Sequence, residues 1–223
     1  MTIRAKLYAA IVLSILGPLA TTAVALQGMT DLGSRFDEVR DRARHESIAL
    51  QLKFGVTDMN GWQTAYGYDG GASRPIFEES VATLRRDLRR ADRTLTDPRE
   101  RELLSRLRRQ FEEFMRLDVA AYRALQSGRE QVTKDIFLGP EIAQFRAMAD
   151  TAERLARYEQ RTATATAIAF EDERDAARKR LIAVALGAGL VIVLLLVTAA
   201  DVARMALEGE RHLRDSAGDK TAG

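Results

Sequence analysis

Two uncharged segments flank a long amphipathic middle. From Leu7 to Leu26 the chain reads LYAAIVLSILGPLATTAVAL, and from Leu181 to Ala200 it reads LIAVALGAGLVIVLLLVTAA. At about 1.5 Å per helical residue, about 20 residues cross a hydrocarbon core about 30 Å thick, so each segment predicts a transmembrane helix. The first has a rival reading as a cleaved signal peptide, with Arg4 and Lys6 as its basic start and Ala23-Val24-Ala25 as a signal-peptidase site. Pro18 would kink either form. The amphipathic pattern that follows without a loop-like break favours the uncleaved anchor.

Between the spans the apolar positions recur at helical spacing. A first helix carries Leu32, Phe36, Val39 and Ala43, changes phase near Glu46, and continues through Ile48, Leu52, Met59, Trp62 and Tyr66 before Asp69, Gly70 and Gly71 stop it. Ser73, Pro75 and the acidic pair Glu78 and Glu79 predict the start of a second helix, with Phe77, Val81, Leu84, Leu88, Ala91 and Leu95 as a strict seam. Asp97, Pro98 and Glu100 predict a capped start for a third helix through Leu104, Leu107, Phe111, Phe114, Asp118, Ala121 and Leu125, ended by Ser127 and Gly128. Gly139 and Pro140 open a fourth, with Phe145, Met148, Ala152 and Leu155, that runs on into the second span.

Short turns between such helices imply antiparallel neighbours. The expected fold is all-α: an up-down-up-down antiparallel four-helix bundle, residues 28–180, flanked by transmembrane helices at 7–27 and 181–200. Residues 1–6 and 201–223 form a cytoplasmic N-terminus and a short cytoplasmic tail. The positive-inside rule puts Arg4, Lys6, Arg204, Arg211 and Arg214 in the cytoplasm and the bundle outside it, in a two-pass inner-membrane protein. Arg178, Lys179 and Arg180 count against this, but long loops translocate largely regardless of charge. The first and fourth helices outrun the second by about 30 Å. A second copy is therefore expected to complete the membrane-proximal part, with Ala183 and Gly187, or Ala185 and Gly189, permitting close span packing.

Composition narrows the function classes. The 223 residues are 46% hydrophobic and 30% charged, with 34 basic and 32 acidic residues interspersed, so no one-sided basic stripe points to nucleic acid. The absence of Cys rules out disulfides and thiolate metal sites. The two histidines, His45 and His212, lie in charged helical stretches and read as exposed surface residues, with no HExxH motif. No nucleophile elbow, phosphate-binding glycine loop or metal-spaced carboxylate cluster stands out, so an enzyme, a cofactor and a metal are not expected.

The stretch DMNGWQTAYGYDGG, Asp58 to Gly71, holds the only Trp and the only Asn of the chain. Its glycines would each cost a helix interior about 1 kcal/mol relative to Ala, so something must compensate. Its first nine residues read as the last turns of the first helix and only YDGG as the exit. Gly61 and Ala65 would admit a neighbouring helix beside Asp58. Asp118 falls on a core position of the third helix, at the level of Asp58, with Arg85 or Arg86 and Arg146 or Arg154 as candidate partners. A buried carboxylate must be paired or neutralised. The resulting layer either fixes helix register or lines a ligand pocket that would include Asp58, Asn60, Trp62, Gln63, Tyr66 and Asp118.

An uncleaved anchor, an extracytoplasmic antiparallel four-helix bundle and a second span together resemble the ligand-binding half of methyl-accepting chemotaxis receptors with a four-helix-bundle sensor domain. The local pattern is similar: FxxFxxxD at Phe111, Phe114 and Asp118, LxxG at Leu125 to Gly128, FxxM at Phe145 to Met148, and DMNGWQTAY itself. The resemblance implies a bacterial membrane sensor in signal transduction that binds a small ligand and dimerises, with itself or with a related receptor. Residues 201–223 leave no room for the linker and kinase-controlling coiled coil of those receptors, so adaptation and kinase control are not implied. The alternative is a structural or partner-binding membrane protein that dimerises with a full-length receptor and binds no small ligand.

Overall fold

A computed structural model describes the backbone of residues 3–218 and the side chains of residues 8, 12, 14–201, 203 and 204. Every element among them is helical: α1 (Ile3–Tyr68), α2 (Arg74–Thr94), α3 (Pro98–Gln126), α4 (Glu130–Ile136), a π-helical turn (Phe137–Glu141) and α5 (Ile142–Gly218). The chain divides into two compact units, one from residues 1–35 and 170–223 and one from Phe36–Ala169.

In the first unit the large apolar side chains Leu186, Leu190, Leu196, Ile15 and Leu19 are all exposed. Among the described residues one helical stretch, Glu130–Asp201, is long and apolar enough to cross a membrane; its most apolar window has a mean hydropathy of 2.9 and none of it is buried. The expected first span falls partly on residues whose side chains lie outside the described set. So do Arg4, Lys6, Arg211, His212 and Arg214.

The second unit holds the core. The seam expected for α2 is buried at Phe77, Val81, Leu84, Leu88 and Ala91, with Leu95 just beyond the helix. It packs with Ile48, Leu52, Val56, Met59 and Tyr66 of α1, with Leu104, Leu107, Phe111 and Phe114 of α3, and with Met148, Ala152 and Leu155 of α5. Each of the Val, Leu, Ile, Phe and Met side chains among them contributes about 1.5–3 kcal/mol on leaving water. The expected start of α3 is present: Asp97 accepts the Arg99 amide at 2.8 Å, and Glu100 accepts the Asp97 amide at 2.8 Å, the two halves of a capping box. Gly128, at φ +68°, ends α3 in the left-handed conformation that glycine adopts without strain.

The expected start of α2 at Ser73 and Pro75 is present, and one boundary differs from expectation. The stretch after Gly128 is helical again from Glu130, so Gly139 and Pro140 do not open a helix; they sit inside the π-helical turn that joins α4 to α5. Pro140 has no amide proton and its ring crowds the carbonyl four residues back, so a wider turn replaces the regular ladder there. At the start of α2, Ser73 makes no side-chain cap. Asp69 holds the turn from outside the helix, accepting the amides of Gly71 at 3.1 Å and Ser73 at 3.0 Å and the Ser73 hydroxyl at 2.5 Å. Those bonds hold its carboxyl below the usual range, the Ser73 hydroxyl most strongly.

Candidate functional site

Three helices meet where α1 ends and α2 begins. Tyr66 of α1 and Asp118 of α3 are fully buried, and the Tyr66 hydroxyl donates to Oδ1 of Asp118. Arg74, the first residue of α2, donates through Nη1 to both carboxylate oxygens of Asp118, at 3.0 and 2.8 Å, and through Nε to Glu78 at 3.0 Å. Its guanidinium carbon lies 5.0 Å from the Tyr66 ring centre, 4.7 Å from Phe77 and 4.3 Å from Tyr122. A planar, weakly hydrated cation is the one that such an aromatic setting tolerates.

The electrostatics balance burial against pairing. Burial pushes the Asp118 carboxyl up, against the pull of the Tyr66 hydroxyl and the Arg74 charge. Burial pushes the Tyr66 hydroxyl up as well, with the Asp118 charge acting in the same direction. For Arg74 burial works downward, but Asp118 and Glu78 outweigh it and the guanidinium is held more firmly protonated.

Beside this satisfied triad stand two groups that are not satisfied. Glu141, the last residue of the π-helical turn, is 1% exposed, and neither of its carboxylate oxygens has a hydrogen-bond partner. Burial, then the Asp118 charge, pushes its pKa up to about 8, with Gln63 and Arg74 pulling down. The Gln63 amide nitrogen is also buried without a partner. The Gln63 side chain faces Glu141, and it is this amide that pulls the carboxyl's pKa down.

Asp58 belongs elsewhere. Its Oδ2 accepts the Ser80 hydroxyl at 2.5 Å, whereas Asp118 is held by Tyr66 and Arg74, so the two carboxylates do not share a layer. Asp58 and Ser80 line a surface groove of about 520 Å³ between α1 and α2, with Leu50, Gln51 and Phe54 along one wall and Thr83 along the other. Glu46, Asp58 and Asp87 give it three carboxylates, and no Lys or Arg lines it. Phe54 is 71% exposed and Leu50 47%, so the groove has an apolar wall open to solvent. Gly55 lets α2 in: a Cβ there would stand 3.2 Å from Leu84 Cδ1.

Of the six residues expected to form one site, the structure gathers Gln63, Tyr66 and Asp118. Trp62 packs against the core while only partly buried, Asn60 is half-buried, and Asp58 turns to the groove. The expected arginine partners of Asp118 are engaged elsewhere or exposed: Arg85 stands over Phe111, Arg86 donates to Thr83, Arg154 pairs with Asp150, and Arg146 is exposed. Arg74 takes their place because it starts α2 beside the end of α1. Gly61 admits no neighbouring helix within the chain; a Cβ there would meet open space.

His45 is not the exposed residue expected. Its side chain is 15% exposed, and Nδ1 lies 2.9 Å from Oε1 of the fully buried Glu100. The signal was present in the spacing, since His45 precedes buried Ile48 by three and Leu52 by seven. The phase change near Glu46 masked it.

No known family, curated protein or solved structure matches this chain.

Proposed function

We propose that the chain is a membrane-bound, chemoreceptor-like sensor in signal transduction. In this reading α1, α2, α3 and α5 between Phe36 and Ala169 form an up-down-up-down antiparallel four-helix bundle outside the cytoplasm, and residues 7–27 and 181–200 anchor it in the inner membrane as a dimer. The observation that carries it is the acid-lined groove between α1 and α2. At about 520 Å³ it has the size of a small-molecule site, and exposed Leu50 and Phe54 beside three carboxylates suit a cation with an apolar body. An occupant bridging the two helices would bias their relative position, the kind of shift by which helical sensors signal.

A thermal-shift screen of organic amines and amino acids on the full chain in detergent tests this. A cationic compound is expected to stabilise saturably, with the effect weakened at least about tenfold by Asp58→Asn or Phe54→Ala. The same exposed Leu50 and Phe54 favour a second reading, in which a helix of a related receptor docks in the groove. Silence across the screen, with a receptor ectodomain captured through Phe54, would replace the first reading by that one. Because the chain has no Cys, single cysteines at Ser127 and Arg204 report topology. An impermeant maleimide applied to intact cells should label the first and spare the second.

A further inference from the structure

His45, Glu100 and Glu159 stand on α1, α3 and α5 and bring one donor atom each to within 4.8 Å of one another. Nδ1 of His45 lies 2.9 Å from Oε1 of Glu100 and 4.0 Å from Oε2 of Glu159, and both carboxylates are fully buried. The second oxygen of Glu100 accepts the Asp97 amide at 2.8 Å, which fixes that carboxylate and aims Oε1 at the cluster. Arg42 pairs with Glu100, its Nη1 at 3.5 Å from Oε1, and its charge is felt more weakly at Glu159.

Glu159 has no such support. No backbone amide supports either of its oxygens, which are completely enclosed and face only the Glu100 carboxyl and the His45 ring. A second carboxylate buried against Glu100 needs a proton or a cation to be tolerated. The donor set then decides between cations. Magnesium and calcium take six or more oxygen ligands, whereas one imidazole nitrogen with two carboxylate oxygens suits a first-row divalent ion.

We propose that His45, Glu100 and Glu159 form a binding site for a divalent transition-metal ion of the Zn2+ class. The imidazole binds through Nδ1, with its proton on Nε2, and water completes the shell. Metal–ligand bonds of about 2.0–2.2 Å place tetrahedral donors about 3.3–3.6 Å apart, between the two distances that His45 makes. The ion would join α1, α3 and α5 beside the turn between α2 and α3, where Tyr158 already donates to Asp97 at 3.2 Å. The proposal is independent of the groove and of the sensor reading.

The test uses the full chain in detergent, stripped with a chelator and titrated with Zn2+, with Mg2+ as the comparison. One Zn2+ per chain is expected, with a rise in Tm of about 5 °C or more at saturation and no comparable effect of Mg2+. Co2+ should give the visible absorption of a tetrahedral nitrogen-oxygen site. Glu159→Gln, which keeps the shape, and His45→Ala should each weaken binding about 100-fold or more, while Glu141→Gln leaves it unchanged. Circular dichroism of each variant confirms that loss of binding is not loss of fold. The proposal is overturned if the folded wild type ignores Zn2+, or if Glu159→Gln binds it as tightly. A wild type indifferent to Zn2+, with Glu159→Gln more stable, would instead mark Glu100 and Glu159 as a carboxyl pair sharing one proton.

Discussion

The ring edge of Phe137 lies against the backbone of Gly67, where Cε2 would stand 2.5 Å from a Cβ. Phe137 cannot simply swing aside, because it also packs edge-to-face on Tyr66 with ring centres 5.8 Å apart. The contact brings the π-helical turn onto α1, next to Glu141. Gly67→Ala should therefore destabilise by about 1–3 kcal/mol despite the better helix propensity of Ala. Gly61→Ala, in the same helix with open space around it, should stabilise by up to about 1 kcal/mol. Urea unfolding of the two variants checks the opposite signs.

The start of α2 offers a test of which residue holds a turn. Asp69 accepts three hydrogen bonds from Gly71 and Ser73, whereas Ser73 gives up only one of them when its hydroxyl is removed. Asp69→Ala should lower Tm more than Ser73→Ala. A larger loss for Ser73→Ala would mean that the serine caps the helix after all.

Neither contact was legible in the sequence, whereas other features were. The α2 seam and the Asp97–Glu100 capping box follow from spacing and side-chain chemistry that act within a turn or two, so local reading finds them. The choice of Arg74 over Arg85 or Arg86 does not, because the heptad pattern fixes a face but not which long side chain reaches a buried carboxylate across helices. Glu141 was hidden for a related reason: the periodic pattern breaks at Gly139 and Pro140, and the π-helical turn that buries it has no apolar repeat of its own. Likewise, the glycines that matter, Gly55 and Gly67, differ from Gly61 only in what other helices bring against them.

Glu141 makes stability depend on pH. Its pKa in the folded chain, about 8, lies above its ordinary value of 4.5, so folding favours the protonated form. The contribution is fully present below about pH 4.5 and is lost as pH rises through about 8, by at most about 1.4 kcal/mol per pH unit. The facing groups are Gln63 and Tyr66 of α1, Arg74 of α2 and Asp118 of α3; Asp118 pushes the same way and Arg74 opposes. Other raised carboxyls add to the slope in the wild type, so the comparison is with Glu141→Gln. The variant should match the wild type near pH 5 and exceed it by about 1–3 kcal/mol at pH 9. Equal pH profiles would show that Glu141 is solvated or paired in solution.

The triad of Tyr66, Arg74 and Asp118 predicts strong non-additivity. Asp118→Leu leaves a largely enclosed guanidinium with Glu78 alone and a buried hydroxyl without its acceptor, and Arg74→Met leaves a buried carboxylate with one donor. Each single change should cost about 3–5 kcal/mol, because breaking a buried pair strands the remaining charge. The triple variant Tyr66→Phe, Arg74→Met, Asp118→Leu removes all three polar groups and keeps the apolar bulk, with Phe77 and Tyr122 packing on an uncharged thioether chain in place of the guanidinium. It should recover to within about 1–2 kcal/mol of the wild type, or exceed it. Urea unfolding of the singles and the triple measures this, and losses that simply add would mean the three groups act independently. If the triple variant is stable but no longer responds to a compound that stabilises the wild type through the groove, the triad couples the groove to the end of the bundle. If the response is intact, the triad serves only to fix how α1, α2 and α3 are packed.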